Sequence, residues 1–311
     1  MKQHEAASTR APSGTADVSF SFLLFFSHAV TIHKTRRCFN TCAFGVSGGE
    51  KPVRTLSIEV IRERLKEIHR HGIKNIRVLD RTFNYNNKRA KELLNLFLEF
   101  SPDICFHLEI HPALLSEELK QELAKLPKGL LHLEAGIQSL REPVLEQSRR
   151  MGRLSDALNG LKYLCALPNM ETHADLIAGL PLYHLSEIFE DIRTLAEYGA
   201  GEIQLESLKL LPGTEMRRRA EELGIQYAPL PPYEVLQTRE ISVDELQTAR
   251  YLSRLLDGFY NTPAWQSITR KLILENQTFL HELLNHLIEI GLIDQPLSLE
   301  KRGLILYEFC M

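Results

Sequence analysis

Four runs in the middle of the chain are apolar on one side only. In ICFHLEIH, His107, Glu109 and His111 alternate with Phe106, Leu108 and Ile110. In LLHLEA, His132 and Glu134 oppose Leu131 and Leu133. In THADLIA, His173 and Asp175 oppose Ala174 and Leu176, and in EIQLES, Gln204 and Glu206 oppose Ile203 and Leu205. A strand repeats every two residues, so each run has one polar and one apolar face. Between the runs lie helical stripes, such as Ile58, Ile61, Leu65 and Ile68 ahead of Gly72. Ser116 is placed to cap another helix. At least five such strand–helix steps follow a first strand near residues 29–35. That alternation predicts an α/β fold with a parallel sheet. An open sheet covered on both sides would be apolar on both faces. A polar face on four strands in succession predicts a barrel or partial barrel instead, with helices over the apolar face and a polar lumen. Function in such folds sits at the C-terminal ends of the strands.

The domain reading follows the pattern. Residues 1–28 form a disordered or artefactual leader, 29–230 the barrel, and 231–311 a mainly helical extension after the proline-rich APLPPYEV. The apolar part of VSFSFLLFFSHAV is too short to span a bilayer. Ser27-His28-Ala29 resembles a signal-cleavage site, but Glu5 and Asp17 dilute the positive charge that a signal needs. Five cysteines, odd in number and sparse, argue against a disulfide framework and for a reducing compartment, hence the cytoplasm. A net charge of -3 offers no bulk attraction to nucleic acid or anionic lipid.

Three chemical signals stand out. Glu109, Glu134, Asp175 and Glu206 face one lumen on neighbouring strands. They suit a divalent metal, a cofactor or acid–base work, unless they are paired with basic side chains. The glycine turns SGGE, AGLP and LPGTE follow strands or the cysteine loop, where they serve as tight turns or let backbone approach a ligand. Cys38 and Cys42 form a CxxxC loop directly after the first strand, at the barrel mouth. The histidines show no HExxH-type spacing and read as ordinary lumen or surface residues.

The cysteine loop, VLDRTFN, HLEIHP, HLEAGIQS, DLIAGLP and LKLLPGTEM occur in this order. As a set they resemble the radical S-adenosylmethionine (SAM) superfamily over roughly residues 34–262. The likeness is to the branch of oxygen-independent coproporphyrinogen oxidases and cobalamin-dependent members. Within it, the VLDRTFN and PPYEVL segments are similar to a family of unknown substrate that carries a cobalamin-binding domain ahead of the core. The resemblance implies a partial (β/α)6 barrel and a [4Fe–4S] cluster held by CxxxCxxC. It implies reductive cleavage of SAM to start radical chemistry, with electrons from a donor such as flavodoxin or ferredoxin. Cobalamin is a further cofactor of the family. By position, Cys38 and Cys42 match cluster ligands and Phe44 the aromatic near the adenine. Glu109 matches the acid for the SAM amino group. Gln138 and Arg150 match a pair near the ribose and carboxylate, and Asp175 the ribose-binding acid. Glu134 is expected close to SAM.

Two departures accompany the resemblance. Gly45 stands where the third cysteine belongs, and Arg37 where a glycine precedes the first. Iron–sulfur cubes are held by cysteine thiolates, so two leave the motif incomplete. Cys105, Cys165 and Cys310 are placed at the wrong end of the barrel or in the tail, and His33 is a weak substitute. The expectation is a truncated or decaying copy. Two other readings stay open: a remnant that binds SAM without a cluster, and a divalent-metal barrel enzyme of lyase type.

Overall fold

The computed structural model describes residues 29–32, 35–36, 38, 40–46, 54–80 and 82–310. The leader, His33, Arg37 and the SGGE segment lie outside the described residues. Among the described residues, six strands pair in sequence order: β1 (Ala29–Ile32), β2 (Asn75–Val78), β3 (Cys105–Ile110), β4 (Leu131–Gln138), β5 (Glu171–Ala178) and β6 (Glu202–Ser207). Every pairing is parallel. The sheet curls as a partial barrel, and no pairing between β1 and β6 closes it among the described residues. A short antiparallel pair, Thr35–Arg36 with Arg54–Thr55, brackets the cysteine loop.

The crossovers are α1 (Ile58–Arg70), α2 (Asn87–Leu98), α3 (Glu117–Lys125), the pair α4 (Glu142–Gln147) and α5 (Leu154–Cys165), and α6 (Leu185–Tyr198). Their starts are set locally. Ser57, Asn86 and Ser116 each accept a hydrogen bond from an N–H three residues on, at 3.3, 3.0 and 3.2 Å. This satisfies donors that a helix end leaves free. The helices cover the apolar face, where Ile76, Phe106, Leu133, Leu176 and Ile203 are fully buried. Phe97 of α2 stacks on Phe106 with ring centroids 4.0 Å apart.

The chain then runs through α7 (Glu215–Arg218), α8 (Val243–Leu255), a π-helical turn at Leu256–Tyr260, α9 (Pro263–Glu275), α10 (Phe279–Glu289) and α11 (Leu299–Cys310). Position 230 falls inside a hairpin that pairs Gln226–Tyr227 with Val235–Gln237. The hairpin is tied to the turn after β6, with Leu210 N–H donating to Tyr233 O at 2.7 Å and Val235 N–H to Leu208 O at 2.9 Å. The Asn261 side chain acts as a strand partner for the β6 edge. Its Oδ1 accepts from Ile203 N–H at 2.9 Å and its Nδ2 donates to Ile203 O at 3.0 Å. An open edge is thereby covered. No helix of the described residues is long and apolar enough to cross a membrane.

One close approach positions the mouth of the barrel. Gly160 of α5 lies against the turn at Pro112–Leu114 that follows β3. A Cβ there would collide with the Pro112 carbonyl oxygen and lie 2.8 Å from its carbon. Both are backbone atoms, so relief requires moving a helix or a strand end. Gly160→Ala is expected to destabilise the protein by roughly 1–3 kcal/mol, in the range of overpacked interiors. Urea denaturation checks this, and an unchanged midpoint would show that α5 can shift freely.

Candidate functional site

The cysteine loop is held from three directions. The buried Ala43 donates its N–H to Ser148 O at 2.9 Å and accepts from Met216 N–H at 2.8 Å. These bonds tie it to the α4–α5 link and to α7. Buried Asn40 donates from Nδ2 to Thr82 Oγ1 at 3.5 Å, and Cys38 Sγ lies 3.9 Å from the same hydroxyl. Arg150 makes the third connection. Its Nη1 donates toward Cys42 Sγ at 3.7 Å, and its Nη2 donates to the Gly136 carbonyl of β4.

Gly136 is where three expected residues meet. A Cβ at this position would lie 2.6 Å from Gln138 Nε2, 3.5 Å from Arg150 Nη2 and 3.9 Å from Asp175 Oδ2. The missing side chain leaves a polar cradle between them. Gln138 is turned into it by a bulge: its φ is 73°, and the β4–β5 register shifts between Gly136 and Gln138. Such a bulge re-aims one side chain at the end of a strand. Asp191 of α6, 1% exposed, holds the turn that follows. Its carboxylate accepts from Leu140 N–H at 2.8 Å, Arg141 Nε at 2.9 Å and Tyr183 Oη at 2.6 Å.

The other expected residues are placed differently. Phe44 is half-buried against the apolar core. Glu109 shares a rung of the sheet with Glu134. Glu134 forms an ion pair with Arg77 of β2, so its carboxylate is already engaged. Glu206 is exposed, two rungs further along than the His173 position. The four acids therefore do not act as one open ring. His111 leaves the alternation because β3 ends at Ile110. Its backbone is clamped by Asn84, which donates from Nδ2 to His111 O and accepts from His111 N–H, both at 2.9 Å. The glycine of AGLP, Gly179, has φ +87° and faces Val235 and Leu246, so it serves a turn and packing.

A family model for the radical SAM superfamily matches residues 32–197, over half of the chain. The chain belongs to the radical SAM superfamily. A second model, for a protein family of unknown function (DUF4080), matches residues 221–311. No curated protein matches the chain. Among solved structures, the radical SAM methyltransferase TsrM from Kitasatospora setae with tryptophan and a SAM analogue aligns at TM-score 0.56. The identity is 16%, over 66% of this chain and 42% of that one. The cobalamin-dependent SAM radical enzyme OxsB aligns at TM-score 0.56 and 14% identity, over 91% of this chain and 54% of that one. SuiB from Streptococcus suis, bound to SAM, aligns at TM-score 0.51 and 14% identity, over 63% and 47%. At these identities the likeness is one of fold. The chain spans about half the length of these structures or less.

The superfamily uses SAM and a [4Fe–4S] cluster, and the residues fit the two unequally. The cradle suits SAM. Asp175 Oδ2 faces Gly136 and Gln138 and Arg150 offer donors beside it, while Asp175 Oδ1 lies 3.0 Å from His173 Nε2, which holds the carboxylate in place. The cysteine loop does not suit a cube held by three thiolates. Gly45 has no donor side chain, Cys105 opens β3 at the far end of the barrel, and Cys165 ends α5. Burial raises the Cys165 thiol to about 12. Burial also raises Cys38, although the Asn40 backbone and Thr82 hydroxyl favour its thiolate. Space is not the obstacle at position 45: a Cβ would meet Cys42 O at 3.5 Å and Cys42 Cβ at 3.9 Å, both ordinary contacts.

Sequence patterns alone did not single out Thr82, Asn84 or Gly136, whose importance rests on contacts made across the fold. Their position in and beside quoted motifs was the available signal. His111 yields a pH prediction. Burial, then the nearby Arg150 charge, pushes its pKa from 6.5 down to about 3. The unfolded chain therefore takes up a proton near pH 6.5 that the folded chain refuses until about pH 3. Stability is unaffected above that window and falls as pH drops through it, by about 1.4 kcal/mol per unit. His111→Phe should lose less melting temperature than the parent between about pH 7 and pH 5. Equal losses would exclude this role.

Proposed function

We propose that the barrel mouth binds S-adenosylmethionine and that the cysteine loop, as it stands, holds no complete [4Fe–4S] cluster. The convergence of Gln138, Arg150 and Asp175 on Gly136, with Arg150 reaching Cys42, carries this reading. Asp175 would accept hydrogen bonds from the ribose hydroxyls. Gln138 and Arg150 would donate to the ribose and carboxylate, Glu109 would accept from the ammonium, and Phe44 would lie along the adenine. Electrostatic matching of this kind needs no cluster, so binding is expected in air. Cobalamin, which OxsB depends on by its description, is a candidate second cofactor.

Calorimetric titration with SAM tests the cradle. Asp175→Asn and Gln138→Ala should each weaken binding by about tenfold or more, since a hydrogen bond to a charged group contributes roughly 1.5–3 kcal/mol. Absence of SAM affinity in the parent chain would overturn the proposal.

Anaerobic reconstitution with iron and sulfide tests the loop. Gly45→Cys should take up close to a full cube, with its EPR signal after reduction, and the parent should not. A reductant must be kept present, because a Cβ 3.9 Å from that of Cys42 lies within disulfide range. A full cube in the parent would show that another ligand completes the site.

A further inference from the structure

The polar face of the barrel has two ends, and the cradle occupies one of them. At the end away from the cysteine loop, His132 is the second residue of β4, His173 the third of β5 and Glu202 the first of β6. The parallel register sets Glu202 beside His173, and His132 one rung earlier beside Glu171. One donor atom from each of His132, His173 and Glu202 lies within 4.8 Å of the others. Among the described residues, no other three His, Cys, Asp or Glu donors are drawn together in this way.

Two observations separate this group from a solvated cluster of charges. First, His173 is 4% exposed, so its ring is fixed among its neighbours and not solvated. Second, His173 is flanked by two carboxylates and His132 by one. Glu202 Oε2 lies 3.5 Å from His173 Nδ1, and Asp175 Oδ1 lies 3.0 Å from His173 Nε2. Glu171 Oε2 lies 3.6 Å from His132 Nδ1. Histidines that bind metals commonly set their second nitrogen against a carboxylate, which orients the ring. The His107 ring lies over that of His132, with centroids 4.8 Å apart, and restricts its plane.

The geometry points to a second site in this protein: a single divalent transition-metal ion held by His132, His173 and Glu202, at the end of the lumen opposite the cysteine loop. Two imidazoles and a carboxylate suit Zn²⁺ and its neighbours, whereas Mg²⁺ and Ca²⁺ favour all-oxygen sets. Donors about 2.0–2.1 Å from a tetrahedral ion are separated by roughly 3.4 Å. The His173 Nδ1–Glu202 Oε2 separation of 3.5 Å is already of that size. Three protein ligands leave one position for water, and Asp175 and Glu171 act as orienting carboxylates. Asp175 also faces the SAM cradle with its other oxygen. The metal site does not rest on that reading, and its test contains no SAM.

The experiment uses the full chain carrying Cys38→Ser and Cys42→Ser, so that the cysteine loop adds nothing. Zn²⁺ is titrated by calorimetry, and Co²⁺ by its visible absorption. One ion per chain is expected, with the strong visible bands of low-coordinate cobalt and no thiolate charge-transfer band. Bound Zn²⁺ should also raise the melting temperature. Glu202→Gln and His132→Gln should each weaken Zn²⁺ binding by at least about tenfold. His281→Gln, a histidine stacked on Phe189 away from the sheet, should leave it unchanged. Glu202 opens its strand at a partly exposed position, so Glu202→Gln decides the matter if His132→Gln does not fold. Failure of the cysteine-free chain to bind one ion, or undiminished binding in Glu202→Gln, would overturn the site.

Discussion

The parallel backbone ladder is the constraint from which the rest follows. From β2 to β4 the strands pair without slipping, so Arg77, His107 and His132 stand on one rung and Glu109 and Glu134 on another. β5 and β6 extend these rungs to Glu171, His173 and Glu202. A shift of one residue at any pairing would turn that strand's polar side chains into the helix layer and its apolar ones into the lumen. Burial of Phe106, Leu133, Leu176 and Ile203 beneath the helices opposes such a shift. The same apolar packing that stabilises the barrel therefore aligns its polar groups.

Against that regular ladder, the mouth is built from exceptions. The register shift at Gly136–Gln138 re-aims Gln138, and Arg150 links Cys42 to the Gly136 carbonyl. The loop is held by Ala43, Asn40 and Arg150 through hydrogen bonds that involve no metal. A glycine at position 45 is therefore compatible with the placement of Ala43 and Asn40. The departure from the cluster motif alters the donor set and leaves the scaffold intact.

Much of this was legible along the chain because the signals are local. Alternation in CFHLEI depends on successive residues of one strand, and the cap at Ser116 on a residue three positions away. That Gln138, Arg150 and Asp175 belong near one another was implied by the family resemblance, and the structure brings them together at Gly136. Other features were not legible. Glu134 takes Arg77, 57 residues away, as its partner. His111 departs from its strand because β3 stops one residue earlier and Asn84 captures its backbone. Asn261 covers the edge of β6 from a segment that reads only as helix. The histidines looked ordinary because their spacing within each strand carries no ligand pattern; they meet only across strands.

The sequence by itself determined an α/β partial barrel with a polar lumen, the place of the cysteine loop, and its missing third thiol. Periods of two and of 3.6, caps and motif order are properties of neighbouring residues, so they survive without knowledge of contacts. Only the tertiary structure decided which carboxylates are engaged, which one reaches Gly136, and which histidines share one end of the lumen. Those outcomes depend on the register between strands and the curl of the sheet, which bring together residues that no local pattern relates.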